Sequence, residues 1–328
     1  DTPEEVVQYE TNFDAVGDWI FDGADAKITT CGAYNVLGGY GVLGKDTSVE
    51  LYLNDLTPHS QLTITFDFAK IDSWDTEDMY VYVDDNLEYS MTLKGATGSN
   101  MCGSTNNNWN EDFIPIELTF DHYAQGIHIL VTTDLSSSAT DESWGLANFK
   151  ITSSLDDCTE IVYESDFAND HSEGWEIENA ASTNVTTCGK DTLIGGPSNF
   201  GKGATATKVV DLGSAGNGVI VAFSFLKIDS WDNEYGRLYA DDVLVWSEQM
   251  HYANGGQICG ASTTSWKEEK FIRTIDLGWV VGDSVTLKWT STLNQAANDE
   301  AWGLADVDVY KYSICDAVAY QSDFLNDG

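Results

Sequence analysis

Two groups of acidic residues occur twice in the sequence with closely matching neighbours. The first group is Asp72, Asp75 and Glu77, matched by Asp229, Asp232 and Glu234, and the second is Asp141 and Glu142, matched by Asp299 and Glu300. Each lies beside a predicted strand, where a loop can direct several oxygens toward one point. Ca²⁺ takes about six to eight oxygen ligands, so we predict calcium as a cofactor bound by these acids. The alternative is that they cap turns and accept hydrogen bonds from neighbouring amides.

The same carboxylates could in principle serve a glycosidase, which needs two of them facing one cleft. A catalytic site present in both copies without a repeated histidine would be unusual, however, and the sequence contains no Gly-x-Ser-x-Gly elbow and no repeated Cys–His arrangement. We therefore predict no catalytic residues and no enzyme.

The cysteines indicate an oxidising, extracellular location. Cys31 and Cys102 stand in the same contexts as Cys188 and Cys259, and each pair is 71 residues apart (102 − 31), which predicts disulfides 31–102 and 188–259 over buried free thiols. The remaining two, Cys158 and Cys315, either bond to another chain, stay free, or indicate a different pairing. Asn184 begins the sole glycosylation sequon, which agrees with secretion.

Tryptophan is the second residue type that could carry binding chemistry. Eight of the 11 tryptophans form matched pairs between the copies, and core packing is the expected role of most of them. Trp109 follows Asn106-Asn107-Asn108 and precedes Asn110. We predict that Trp109 and its match, Trp266, are candidates for stacking on sugar rings.

These residues are positioned by an internal repeat. Lys70-Ile71-Asp72-Ser73-Trp74-Asp75 reappears as Lys227-Ile228-Asp229-Ser230-Trp231-Asp232, an offset of 157 residues (227 − 70). We predict one domain over 1–157 and a second over 158–314. Tyr320-Gln321-Ser322-Asp323-Phe324 repeats the opening of both copies, so 315–328 is predicted to be the start of a third repeat or a segment donated to another subunit.

The residue pattern within each copy is that of short strands. Leu62, Ile64, Phe66 and Phe68 alternate with polar residues, which predicts a strand with one buried face. The matching strand of the second copy has Ile220 and Ala222 between its core residues and is predicted to be covered on both faces. Hairpins are predicted around Asp84-Asp85-Asn86 and Asp241-Asp242, and turns at the glycine-rich stretches 38–41 and 195–197. The predicted fold is all-β, with two tandem antiparallel β-sandwiches of the jelly-roll type.

Charge and hydropathy exclude several partners. The formal net charge is −39, from 54 acidic and 15 basic residues, which disfavours nucleic acid and anionic lipid and is otherwise explained by simple solubility. No run of about 18 apolar residues is present. We predict no nucleic-acid partner and no membrane insertion.

The Lys-Ile-Asp-Ser-Trp-Asp and Asp-Glu-[Ser/Ala]-Trp-Gly-Leu signatures resemble repeats of large secreted or surface proteins of ciliates and other protists. The resemblance covers both copies and implies an extracellular, repeat-built protein. We predict a structural or adhesive surface protein that associates with copies of itself, end to end, into a filament. The alternative is a calcium-dependent pair of carbohydrate-binding modules with glycans as partners.

Overall fold

A computed structural model describes residues 5–95, 97–104, 109–168, 174–260 and 265–313. This part of the chain forms 22 β-strands and no helix, so the predicted all-β class is confirmed. The described residues accordingly contain no helix of the length and apolarity needed to span a membrane.

The two repeats contain the same series of strands. Those of repeat 1 are β1 (Val6–Thr11), β2 (Ile20–Asp22), β3 (Ile28–Cys31), β4 (Tyr34–Leu43), β5 (Ser48–Leu53), β6 (Gln61–Asp72), β7 (Asp75–Val83), β8 (Asn86–Lys94), β9 (Asp112–Asp121), β10 (Ile127–Thr133) and β11 (Glu142–Ser154). Those of repeat 2 are β12 (Thr159–Ser165), β13 (Trp175–Glu178), β14 (Val185–Cys188), β15 (Asp191–Phe200), β16 (Thr205–Asp211), β17 (Asn217–Asp229), β18 (Asp232–Ala240), β19 (Val243–His251), β20 (Glu269–Val280), β21 (Ser284–Ser291) and β22 (Glu300–Tyr312).

Each repeat is a sandwich of two antiparallel sheets. In repeat 1 the first sheet has the order β3-β4-β11-β6-β9, with β1 also paired to β11, and the second has the order β2-β5-β10-β7-β8. Repeat 2 has the same arrangement. Its first sheet has the order β14-β15-β22-β17-β20, with β12 also paired to β22, and its second has the order β13-β16-β21-β18-β19. The orders β4-β11-β6-β9 and β5-β10-β7-β8 within these sheets are those of a jelly roll, as predicted.

The alternation of residue types explains how the sandwich of repeat 1 forms. Leu62, Ile64, Phe66 and Phe68 of β6 are buried between the sheets, whereas the polar residues that alternate with them are only partly buried. The matched tryptophans fill the centres: Trp19, Trp74, Trp144, Trp175, Trp231 and Trp302 are all buried. The expectation that most tryptophans belong to the core is therefore confirmed.

The glycine-rich stretches are not the turns that the sequence suggested. They lie inside β4 and β15, where Gly38 and Gly39 have φ of 81° and 85°. The pairing of β4 with β11 is shifted at this point, between Trp144 and Gly145. A Cβ on Gly38 would lie 2.2 Å from Cδ1 of Leu43. The glycines thus form a bulge within a continuous strand, a place where left-handed backbone and close packing exclude other residues.

The outer face of β17 is covered by repeat 1, which confirms that this strand is buried on both sides. Ala124 of repeat 1 packs with Ala222 and Ile272 of repeat 2. The rings of Tyr123 and Tyr310 meet edge-to-face at 5.3 Å. We call these contacts, made by the loops at one end of repeat 1 on the face of β17, β20 and β22, the inter-repeat joint.

Hydrogen bonds and ion pairs surround the apolar part of the joint. Gln125 Nε2 donates to Asp308 Oδ1 at 2.6 Å, and Lys270 Nζ donates to Asn54 Oδ1 at 2.9 Å. Arg273 contacts Asp85 at 3.3 Å. Because apolar packing and charged groups act together, the two repeats have a specific relative placement.

Both predicted disulfides are present. Cys31 is bonded to Cys102 and Cys188 to Cys259, each with a sequence separation of 71 residues. Cys158 is also disulfide-bonded, so it is not a free thiol. Cys315 and the segment 315–328 lie outside the described residues, and the bond to another chain stays a prediction. Asn184, the predicted glycosylation site, is exposed.

Candidate cation site and the neighbouring recess

Strand pairing brings the two acidic groups of each repeat together. In repeat 2, β17 pairs with β22 so that Asp229 lies opposite Glu300, although they are 71 residues apart in sequence (300 − 229). Ser230 Oγ in the turn after β17 donates to the Asp299 carbonyl at 2.8 Å. The turn between β17 and β18 is thereby fixed to the loop that precedes β22.

Three of the predicted ligands converge in repeat 2. One carboxylate oxygen each from Asp232, Glu234 and Glu300 lies within 4.8 Å of the other two. The Asp232 amide donates to Glu234 Oε2 at 2.5 Å. Asn294 Nδ2 donates to Glu234 Oε1 at 2.9 Å, and Gln295 Nε2 donates to Glu300 Oε1 at 3.3 Å. This group, here called the acid triad, is the arrangement that the sequence analysis sought.

Burial and neighbouring carboxylates disfavour the ionised state of Glu234 and Glu300. Burial, with the charges of Glu234 and Asp232, raises the pKa of Glu300 to about 6. Burial and the Asp232 carboxyl also raise the pKa of Glu234. A divalent cation would offset this repulsion and favour the ionised forms. Protons therefore compete with a cation for this site.

The corresponding acids of repeat 1 are arranged less closely. Within the described ranges, the three-carboxylate group is found in repeat 2 and not around Asp75, Glu77 and Glu142. Ser136 and Ser137 occupy the places of the two amide donors, and Glu142 Oε2 is buried without a hydrogen-bond partner among the described residues. Burial and the Glu77 charge raise the pKa of Glu142.

Asp72 and Asp229 face a different part of each repeat, the loop that carries the second disulfide cysteine. Asp72 accepts from the Ser104 amide at 2.9 Å, and the buried Glu111 accepts from the amides of Met101 and Cys102. Glu268 receives the matching bonds from Ile258 and Cys259 in repeat 2. These two carboxylates of each repeat therefore hold the disulfide loop.

Glu111 and Glu268 were missed by the sequence analysis. They are separated by the repeat offset of 157 residues (268 − 111), and that match was the available signal. An ideal Cβ on Gly103 would lie 2.3 Å from Asp72 Oδ1 and 2.6 Å from Glu111 Oε1, so both acids converge on this glycine. Burial, together with the Glu111 charge, raises the pKa of Asp72 to about 6.

Asp141 and Asp299 bind the turns that follow β6 and β17 mainly through their backbone carbonyls. The Asp141 carbonyl accepts from Ser73 Oγ at 3.1 Å, and its carboxylate accepts from the same hydroxyl at 3.4 Å. Asp299 makes the equivalent contacts with Ser230. In both repeats these residues tie two loops together and do not join the acid triad.

Trp109 and Trp266, the candidates for sugar stacking, are half-buried. The Trp109 carbonyl accepts from Asn100 Nδ2 at 3.3 Å, and the Trp266 carbonyl accepts from Gln257. Both residues are therefore partly accessible to solvent.

A recess of about 440 Å³ opens beside the acid triad. We call it the amide recess, and it is lined by Asn179, Ala180, Ala181, Asn199, Gly201, Lys202, Asn294, Gln295, Ala296 and Ala297. Asn294 and Gln295 belong both to this lining and to the donors of the acid triad. The acid triad and the amide recess are therefore joined by two shared side chains.

Comparisons of sequence identify no relative of this chain. No protein-family profile matches it, and no curated protein does.

Solved structures with a similar arrangement of strands include several carbohydrate-binding modules. The tandem CBM22 modules of Xyn10C from Paenibacillus barcinonensis are 11% identical over 95% of this chain and 99% of theirs, with a TM-score of 0.31. A family 35 carbohydrate-binding module from Clostridium thermocellum is 18% identical over 45% of this chain and 97% of its own, with a TM-score of 0.28. The tandem CBM51 modules of Sp3GH98 from Streptococcus pneumoniae are 9% identical over 94% of this chain and 97% of theirs, with a TM-score of 0.25.

Proposed function

We propose that this protein is an extracellular, calcium-dependent carbohydrate-binding pair of modules, and that repeat 2 carries the principal site. The observation that supports this most directly is the contact of the acid triad with the amide recess through Asn294 and Gln295. The two disulfides fit an extracellular protein.

Calcium would act on the recess through the two amides. Without a cation, Asn294 and Gln295 donate their N–H groups to Glu234 and Glu300. A cation on these carboxylates would take the place of the two hydrogen bonds, so that the amides become available to the recess. Amide groups and the Lys202 ammonium are suited to hydroxyl groups, which makes a sugar a suitable occupant.

The test is a glycan array with and without Ca²⁺, followed by calorimetry on any hit. We expect Glu300→Gln to abolish the calcium dependence, and Lys202→Ala to weaken glycan binding while leaving calcium binding intact. Lys45→Ala, at the equivalent position of repeat 1, is the matched control and should bind like the wild type. If the array shows no glycan binding either with or without Ca²⁺, the proposal is wrong.

A second role, as a structural or adhesive repeat that assembles end to end, is supported by the inter-repeat joint. The contact of Ala124 with Ile272 and the bond of Gln125 to Asp308 join consecutive repeats through matched surfaces. A chain built in this way suits a rod or filament. Electron microscopy of concentrated protein should show elongated particles, and only monodisperse two-domain particles would count against this role.

A further inference from the structure

The inter-repeat joint uses one end of repeat 1, and the same end of repeat 2 meets no partner among the residues that the structure describes. Matching backbone bonds establish the equivalence, since the amide of Leu56 donates to the Gln125 carbonyl and that of Leu212 donates to the Asp283 carbonyl. Asp283 of repeat 2 thus stands where Gln125 stands in repeat 1. By the same alignment, Val281 stands at the position of Tyr123.

The end of repeat 2 carries apolar side chains in contact with solvent. Val281 is 90% exposed, Val243 63% and Trp279 53%. In repeat 1, Tyr123 at the position of Val281 packs on Tyr310, and the neighbouring Ala124 is completely buried. Several exposed apolar side chains at one end of a domain are typical of a contact surface.

Repeat 1 in turn has the receiving face, which no other described part of the chain occupies. A recess of about 440 Å³ on this face is lined by Thr65, Phe66, Asp67, Pro115, Ile116, Glu117 and Asn148. Pro115 and Thr65 stand at the positions of Ile272 and Ala222, which repeat 1 covers in the joint. In repeat 2 the turn at Gly126 fills this place, because a Cβ there would lie 3.4 Å from Ile272 Cδ1.

The two uncovered surfaces offer one pair of opposite charges at equivalent positions. In the joint, Gln125 donates to Asp308 at 2.6 Å. The residue equivalent to Gln125 at the uncovered end is Asp283, and the residue equivalent to Asp308 on the uncovered face is Lys150. Asp283 is exposed, and Lys150 has no ion pair among the described residues. A hydrogen bond inside the chain would thus be replaced by a carboxylate–ammonium pair between chains.

We propose that the end of repeat 2 formed by Trp279, Val281 and Asp283 docks on the outer face of β6, β9 and β11 of a second copy, with Asp283 paired to Lys150. The contact is head-to-tail, and because it uses two different surfaces, it extends without closing into an open assembly. This inference rests on the proposed end-to-end role and is independent of carbohydrate binding.

The test is sedimentation velocity over a range of protein concentrations. We expect the wild-type chain to form assemblies that grow with concentration. Asp283→Lys and Lys150→Glu should each weaken assembly by about tenfold. An equimolar mixture of the two variants should recover it, because each mutant surface then meets an opposite charge. Asp22→Lys, at the far end of repeat 1, changes the net charge equally to Asp283→Lys and should assemble like the wild type.

Each outcome has a distinct meaning. If the wild type stays monomeric at every concentration, both the end-to-end role and this contact are overturned. If it assembles but the two charge variants assemble equally well, or if their mixture does not recover, the role stands and this contact is wrong. Unchanged melting temperatures of the variants confirm that they remain folded.

Discussion

The bond between Gln125 and Asp308 provides a direct test of the inter-repeat joint. Asp308 is 1% exposed, and its Oδ2 has no hydrogen-bond partner among the described residues. Gln125→Ala removes the side-chain donor to Oδ1 while leaving the backbone of residue 125 in place. An underpaired buried carboxyl group costs about 1–2 kcal/mol, so we expect the free energy of unfolding to fall by that amount.

Asp283→Ala is the matched control, since it makes the same truncation at the exposed equivalent position. We expect it to change the free energy of unfolding by less than about 0.5 kcal/mol in dilute protein. Urea denaturation measures both variants, and calorimetry reports whether the two repeats then melt separately. If Gln125→Ala is as stable as Asp283→Ala and still melts in one transition, the joint does not couple the repeats as described.

Three further predictions concern stability. Replacing Cys31 and Cys102 by serine should lower the free energy of unfolding by about 4 kcal/mol, because the crosslink closes a 71-residue loop; urea denaturation with the other disulfides intact measures this. Burial lowers the pKa of His128, but the interactions with Asp85 and Glu50 outweigh burial and raise the pKa to about 9. The contribution of the charged imidazole to the free energy of unfolding is therefore complete below about pH 6.5 and is lost as the pH rises through 9. His128→Asn should remove that part of the pH dependence of the urea midpoint. Gly38→Ala should lower the melting temperature, since the left-handed backbone at φ 81° and the packed Leu43 oppose a Cβ; an unchanged melting temperature would contradict the bulge.

Much of the fold follows from local features of the sequence. The alternation from Leu62 to Phe68 predicts one buried face for β6, and the apolar residues Ile220 and Ala222 at matching positions predict that both faces of β17 are covered. Both expectations are confirmed. The covering partner, Ala124, could not be found in this way, because contacts between the repeats depend on their three-dimensional placement.

The candidate site was only partly predictable. The sequence marked Asp232, Glu234 and Glu300 as ligands, but their convergence depends on the register that places Asp229 opposite Glu300. Register is a property of paired strands and is not visible in either strand alone. The same pairing directs Asp229 itself away from the acid triad, toward the disulfide loop.

Calcium titration by calorimetry is the most direct measurement of the central claim, that the acid triad binds a cation and controls the amide recess. The account predicts saturable Ca²⁺ binding at pH 7.5 that weakens below about pH 6, as Glu300 takes up a proton. Glu300→Gln should lose this binding, and Glu142→Gln, its counterpart in repeat 1, should retain it. No binding by the wild type, or equal binding by Glu300→Gln, would contradict the claim.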